Sequence, residues 1–391
     1  MTRTQTIRAL LLLLICLLLA ACTGNEQKTS KDAGHHDTAE RGGEIKTRKP
    51  ETGHKTITLS AIGDILIHKR VYEDARTDNG FNFMPMLKKV KPYLNDTTIT
   101  FANQETMIGG QALGLSTYPA FNSPFAVGDA LKNTGVDIVS LANNHTLDRG
   151  EEAIRNAIEH WKKIDMMYTG AYNSEADSNK LRVYETDEGI SVAFLAYTYG
   201  TNGIPVPNGK SFVVNLIDKD LMAARIKEAK QQADAVVLSL HYGKQYKRMP
   251  TAGQKDLVQF AANKGVDVVL GHHPHVLQPI DWVEGKNGHK TLVAYSLGNF
   301  LSGQDEFYRR IGGVFKFTIE KTLNGKEETV QVKAPKLLPT FVKFRNETDY
   351  EVVPMYQLTD DEWADAGEHY QEIKKHMAQW VPELEFIEEQ P

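Results

Sequence analysis

Cysteine is nearly missing from this 391-residue chain: Cys16 and Cys22 are the only two, and both fall in the first 22 residues. The rest of the chain therefore offers no thiolate, so a copper(I) or iron–sulfur site has nothing to hold it. A mature chain keeping only Cys22 forms no internal disulfide, whatever its compartment. Strong charge of either sign is lacking too. Lys and Arg number 45 against 50 Asp and Glu, a formal net charge of -5 at pH 7. With no concentrated basic patch, this balance argues against a nucleic-acid partner. The sequence shows no internal repeat. The unbroken apolar run Ala9 to Ala21 is short of the roughly 20 residues a comfortable membrane span needs. What remains is ordinary for a soluble globular protein, at 41% apolar and 24% charged residues, and long enough to bury a large core.

The N-terminus carries an address. Arg3 and Arg8 precede the apolar run, which closes in Leu19-Ala20-Ala21-Cys22. Small residues before a processing point read as an export signal. The pattern resembles a bacterial lipoprotein signal over residues 1–22, which implies a lipid on Cys22 after cleavage; an uncleaved anchor is the alternative. Either arrangement holds the chain at the cell membrane on its extracytoplasmic face. Residues 23–55 are polar and poor in apolar side chains, the composition of a flexible tether. His35-His36 in that stretch reads as two solvated histidines.

From Thr56 the pattern alternates between buried strands and helices, the signature of layered α/β architecture. Strand-like runs end in turn at Asp64, at Glu105, at Asn144-His145, at His241 and at His273 with His275. The last run is the clearest. Val268-Val269-Leu270 is a buried strand that Gly271 should end, and His272-His273-Pro274-His275 follow. In an extended segment residues i and i+2 share a face, which would converge His273 and His275 on one ion and turn His272 away. Each polar residue alone has a duller explanation in a turn or cap. Their coincidence at the ends of parallel strands, where α/β sheets keep ligands, points to one site.

Asp64, Glu105, Asn144, His241, His273 and His275 are oxygen and nitrogen donors, suited to manganese, iron or zinc. Six donors exceed the needs of a single tetrahedral zinc. Two divalent ions sharing a carboxylate fit the set better. Such a pair, about 3.5–4 Å apart, clamps a phosphoryl oxygen and supplies a nucleophile near neutral pH.

Several motifs occur in order: Gly63-Asp64-Ile65, Asn103-Gln104-Glu105, Leu141-Ala142-Asn143-Asn144-His145 with Asp148, and His241-Tyr242-Gly243. Gly271-His272-His273-Pro274-His275-Val276 and Tyr295-Ser296-Leu297-Gly298-Asn299-Phe300 complete the set. From about Thr56 to Phe317 the chain resembles the CapA family of poly-γ-glutamate capsule biosynthesis proteins, whose fold is similar to calcineurin-like metallophosphoesterases. The resemblance implies Asp64 as the terminal carboxylate of one ion, with His275 beside it, and Glu105 as the bridge. It implies Asn144, His241 and His273 around the second ion, and His145 as the acid protonating a leaving oxygen. Asp148 fits the family spacing but also stands as N-cap in Asp148-Arg149-Gly150-Glu151. Two departures stand out. Leu66 occupies the place of a histidine in the metallophosphoesterase Asp-x-His motif, leaving His68 as a substitute only if the loop bends. Glu105 replaces a shorter aspartate.

The expectation is a layered metallophosphoesterase-like α/β sandwich with mixed sheets over residues 56–320. Residues 321–391 add strands and an amphipathic helix that packs on the domain. That helix should follow the capping pattern Thr359-Asp360-Asp361-Glu362 and carry Trp363, Tyr370, Ile373, Met377 and Trp380; a partner-binding helix is the alternative. Ser123-Pro124 and Thr251-Ala252-Gly253-Gln254 mark two further helix starts. By resemblance, the protein is a surface-tethered lipoprotein in capsular poly-γ-glutamate synthesis or export. Its partners would be the membrane, membrane-bound polyglutamate synthase components and an anionic polymer or phosphoester. A free-standing extracytoplasmic phosphoesterase and a non-catalytic metal-binding scaffold are the alternatives.

Overall fold

The computed structural model describes residues 52–325 and 327–391. The signal, Cys22 and nearly all of the tether lie outside them. Along the chain run β1 (Thr52–Leu66), β2 (Arg76–Thr77), β3 (Gly80–Phe81), β4 (Ile99–Gln104), β5 (Ile138–Ser140) and β6 (Met167–Thr169). Then follow β7 (Arg182–Glu185), β8 (Ser191–Thr198), β9 (Ala235–His241), β10 (Val268–His272), β11 (Leu277–Glu284) and β12 (Lys290–Leu297). The last strands are β13 (Asn299–Ser302), β14 (Ile311–Asn324), β15 (Glu327–Arg345), β16 (Thr348–Pro354) and β17 (Glu385–Phe386).

Two mixed sheets result. The first runs β16-β15-β14-β1-β4-β5-β6, with β13 on β1 and β17 on β15; the second runs β11-β12-β10-β9-β8-β7. In the first, β1, β4, β5 and β6 are parallel and β14, β15 and β16 antiparallel. In the second, β8, β9, β10 and β12 are parallel, with antiparallel β7 and β11 at the edges.

The sheets face each other. Ile57, Leu59, Ile99, Phe101 and Ile138 of the first share a buried core with Phe194, Val237, Val268 and Leu270 of the second. Phe101 stacks on Phe194 at 5.9 Å between ring centroids. Helices cover the outer faces. Ile154, Ala157, Ile158 and Trp161 of helix Gly150–Lys163 pack with Ala102 and Val139. Met222, Ile226 and Ala229 of helix Lys219–Gln232 pack with Leu238 and Val269. The central strands β4, β9 and β10 are buried along their whole length, because alternate side chains meet the facing sheet on one side and the helices on the other. This is the layered α/β sandwich the pattern predicts.

Local departures have local causes. β1 begins at Thr52, ahead of the alternating pattern at Thr56, because Gly53, His54 and Lys55 find partners along the long β14. Ser123 does not cap a helix; its hydroxyl donates to Thr106 Oγ1, and the helix starts at Ala126. At Thr251 the full reciprocal capping box forms with Gln254. Thr359 and Glu362 also bond, but that turn does not propagate. The C-terminal helix spans Ala366–Met377, leaving Trp363 and Trp380 outside it. Its Tyr370, Ile373 and Met377 are buried in the core between the sheets. Among the described residues no helix is long and apolar enough to cross a membrane.

Candidate metal centre

Parallel strands deliver the donors from both sheets to one place. Asp64 sits near the end of β1, Glu105 just after β4 and Asn144 in the loop after β5; His241 ends β9 and His272 ends β10. Two glycines permit the close fit. A Cβ on Gly63 would stand 2.1 Å from the Gly298 carbonyl oxygen, and one on Gly271 2.0 Å from that of Tyr295. The Gly63 approach lets the Asp64 N–H donate to Gly298 O at 2.8 Å. Gly271 therefore does not end its strand, which runs on through His272.

All six expected donors are buried, none more than 4% exposed. Among the described residues, two groups bring donor atoms within 4.8 Å of one another: Asp64, Glu105 and His275, and Glu105, His241 and His273. Glu105 belongs to both. Asn144 joins the second, its Oδ1 2.7 Å from His241 Nε2. His68 joins neither. Its Nδ1 lies 3.1 Å from the Gly303 N–H nitrogen, and its ring meets Phe121 edge-on at 5.3 Å. Burial pushes its pKa down to about 4.

Strand alternation is not what joins His273 to His275. Both backbones lie at positive φ, 96° and 58°, conformations rare outside glycine and commonest where a site imposes them. The turn, not an extended segment, sets their rings 5.8 Å apart. His272 does not turn away either. Its Nδ1 lies 3.3 Å from Asp64 Oδ1, at ion-pair distance but without hydrogen-bond alignment.

Neighbouring amides orient the ligand atoms. His275 Nδ1 lies 3.1 Å from Asp64 Oδ2 and 3.1 Å from Asn299 Oδ1, two acceptors. Nδ1 therefore carries the proton, which leaves Nε2 as the donor atom facing Glu105 Oε1 at 3.7 Å. The Asn299 amide is fixed because its Nδ2 donates to Gln304 Oε1 and Arg309 O. Asn103 Nδ2 donates to Asp64 Oδ1 at 2.9 Å. Asn144 Nδ2 donates to Asn202 Oδ1 at 3.1 Å, directing Oδ1 toward His241. Nothing in the sequence alone assigns Asn103, Asn202 or Asn299 a role. Asn103 and Asn299 stand inside the quoted motifs, whereas Asn202 looks like a turn residue before Gly203.

Asp148 is not a helix cap. The residue before helix Gly150–Lys163 is Arg149, with no side-chain cap. Asp148 Oδ2 accepts the Phe121 N–H at 2.8 Å and lies 2.7 Å from His145 Nδ1. A carboxylate oxygen only accepts, and at 2.7 Å it outcompetes the Asn202 Nδ2 amide 3.3 Å from the same nitrogen, so His145 holds its proton on Nδ1.

The charges of the cluster are unbalanced. Burial raises the Glu105 carboxyl, and Asp64 and Asp148 add to the effect, well above the ordinary range. For Asp64 burial also pushes upward, yet His272 and His275 together hold it well below the ordinary value. Burial lowers His241 strongly, and lowers His273 to about 3 with help from His275. Both Glu105 oxygens are buried without a hydrogen-bond partner. A buried carboxyl in that state either keeps its proton or is completed by a cation. An orphaned carboxyl among nitrogen and oxygen donors could hold a divalent cation.

Residues 58–304 match the family described as bacterial capsule synthesis protein PGA_cap. The chain belongs to this family. It is similar to the PGA biosynthesis protein CapA of Bacillus subtilis, 26% identical over 306 residues, covering 77% of this chain and 78% of that one. It is likewise similar to the capsule biosynthesis protein CapA of Bacillus anthracis, 27% identical over 259 residues, 64% of this chain and 61% of that one. A Staphylococcus aureus crystal structure, described provisionally as that of a 5'-nucleotidase with alpha-ketoglutarate, aligns with a TM-score of 0.43. It shares 13% identity and covers 81% of this chain and 58% of the other. A likeness at that level bears on neither ligand nor activity. The PGA_cap match covers the donors from Asp64 to His275 and the Asn299 that holds His275.

Proposed function

We propose that this protein acts in capsular poly-γ-glutamate synthesis or export at the outer face of the cell membrane, through a two-cation site bridged by Glu105. The orphaned Glu105 carboxylate, shared by two donor groups, carries the reading of the site. Asp64 and His275 would hold one ion with Glu105. His241, His273 and Asn144 would hold the other. The donor set suits manganese, iron or zinc. Bound ions would polarise a phosphoryl or carbonyl oxygen and acidify a bound water.

The chain's own residues supply the rest. Asn299 and Asn103 fix His275 and Asp64 in ligand orientation, and the buried surroundings exclude bulk water. Asp148 holds His145 with its proton on Nδ1, and stabilises the imidazolium that donates from Nε2 to a leaving oxygen. This pair favours hydrolytic work over a purely structural metal site. Membrane attachment through a lipid on Cys22, and assembly with a membrane-bound polyglutamate synthase, complete the proposal. The lipoprotein-like signal and membership of the capsule synthesis family support it.

The deciding experiment complements a strain lacking this gene with wild type or Glu105→Gln, at matched surface levels. The proposal expects γ-linked polymer from wild type and a large loss with the variant. Full polymer from Glu105→Gln would contradict a working role for the site. A fatty-acid label that does not depend on Cys22 would contradict the anchor.

A further inference from the structure

Two partly exposed tyrosines flank the histidines. Tyr199 is 49% exposed with its ring 4.7 Å from that of His273, and Tyr246 is 39% exposed with its ring 6.0 Å from that of His275. Only the second bears a charge. The Arg309 guanidinium lies 3.5 Å from the Tyr246 ring centroid, and among the described residues no cation stacks on Tyr199. The two flanks of the cluster therefore differ: a bare aromatic ring beside His273, and an aromatic ring carrying a cation beside His275.

Tyr246 is held more firmly than an exposed loop residue needs for folding. Its backbone is at φ 63°, uncommon for a bulky side chain. Its N–H donates to Pro274 O at 2.7 Å, within the histidine turn. Gln304 Nε2 donates to its hydroxyl at 3.4 Å, and Gln304 Oε1 accepts from the Asn299 amide that also faces His275. Asn299 Nδ2 further donates to Arg309 O at 2.8 Å. One asparagine thus ties a ligand histidine to the stacked arginine.

Arg309 has donors to spare. Its Nε is buried without a hydrogen-bond partner. Nη2 lies 2.8 Å from Glu306 Oε1, on a carboxylate side chain that is 69% exposed. With Glu306 so exposed the pair is weak, and the half-buried guanidinium can exchange it for a ligand anion.

We propose that Arg309, presented on Tyr246, is a positioning residue that seats an oxyanion of the ligand beside His275. The bond held at the cluster then lies next to a carboxylate or phosphate rather than next to a neutral group. This assignment of substrate class rests on the reading of Asp64, Glu105 and His275 as a ligand site, and sets the direction in which an anionic chain enters.

The test uses the full chain in detergent, loaded with manganese or stripped of metal, as wild type, Arg309→Met, Arg309→Lys and Tyr246→Leu. Two probes are titrated: a γ-linked glutamate pentamer and linear pentaphosphate. Arg309→Met should weaken at least one probe by about tenfold or more, the scale of a charge-assisted hydrogen bond. Arg309→Lys should recover most of the loss and Tyr246→Leu should share it, at unchanged manganese content and melting temperature. The probe that loses affinity identifies carboxylate or phosphate; loss of both supports a general oxyanion seat. The proposal is overturned if wild type binds neither probe or Arg309→Met binds both as tightly. It is equally overturned if Arg309→Met loses manganese together with the probe. Wild type that holds no manganese would refute the metal reading alone, since the stripped protein still compares Arg309 with its variants.

Discussion

Glu105 Oε1 lies 3.6 Å from His241 Nε2, across the seam where the two sheets meet. One residue ends a strand of the second sheet and the other follows a strand of the first, so a shared cation would pin the sheets together. Without one, Glu105 is a liability. Its burial and its acidic neighbours raise it, and an isosteric amide relieves the charge. Metal-free Glu105→Gln should therefore melt at or above the wild-type temperature, yet bind far less metal. Thermal melts with and without chelator check this; a metal-free variant much less stable than wild type would count against it.

The pH dependence of the metal-free protein follows from the same groups. His273 and His68 have folded pKa values of about 3 and about 4 against an ordinary 6.5, and His241 is lowered as well. Between those values and 6.5 the unfolded chain binds more protons, so their stabilisation is complete above 6.5 and is lost on acidification. Asp64, lowered below 3.8, acts in the same direction at still lower pH. Glu105 opposes them: raised above 4.5, it loses stability as pH rises from 4.5 toward its folded value. Burial also lowers His376 and raises Asp137, Asp267 and Asp281 from their lower ordinary value of 3.8. Four lowered histidines outweigh the raised carboxyls between pH 4.5 and 6.5. Denaturant unfolding of chelated protein should show stability rising over that window, and a flat or falling curve would contradict the assignment.

The Asp148–His145 pair predicts a tautomer. Nitrogen NMR of His145 should show the neutral ring protonated at Nδ1, and Asp148→Ala should shift that proton toward Nε2. The variant also strands the Phe121 N–H, a loss of about 1–3 kcal/mol. An unchanged tautomer in the variant would return Asp148 to a purely structural role.

Gly63 gives a packing test. The Cβ of Gly63→Ala would meet backbone oxygen at 2.1 Å, so β1 must shift beside Asp64. A destabilisation of roughly 1–3 kcal/mol is expected, with weakened metal binding. Alanine tolerated with full metal content would show that this approach is not required.

The candidate donors were legible because chemistry and topology coincide at the ends of strands. Asp64, Glu105, Asn144, His241, His273 and His275 each follow a recognisable buried run, and the alternation of strands with helices gave the layers. Other features depend on contacts remote in sequence. Nothing near His272 announces that Asp64 stands 3.3 Å from its ring. Positive φ at His273 and His275 is invisible in a His-Pro-His string, whose spacing equally suits an extended strand. Asp148 fits a capping box as well as it fits a histidine partner, and only the position of Phe121 and His145 decides. Asn202 meets Asn144 through a loop whose fold no periodicity describes. Tyr246 and Arg309 are joined across 63 positions of chain by a stacking contact.

The central claim, that Glu105 bridges two cations, is tested most directly by electron paramagnetic resonance of manganese-loaded protein with metal counted per chain. Two manganese ions per chain with an exchange-coupled spectrum are predicted for wild type, and loss of the coupling for Glu105→Gln. A single ion, or two ions with independent spectra, would contradict the bridge.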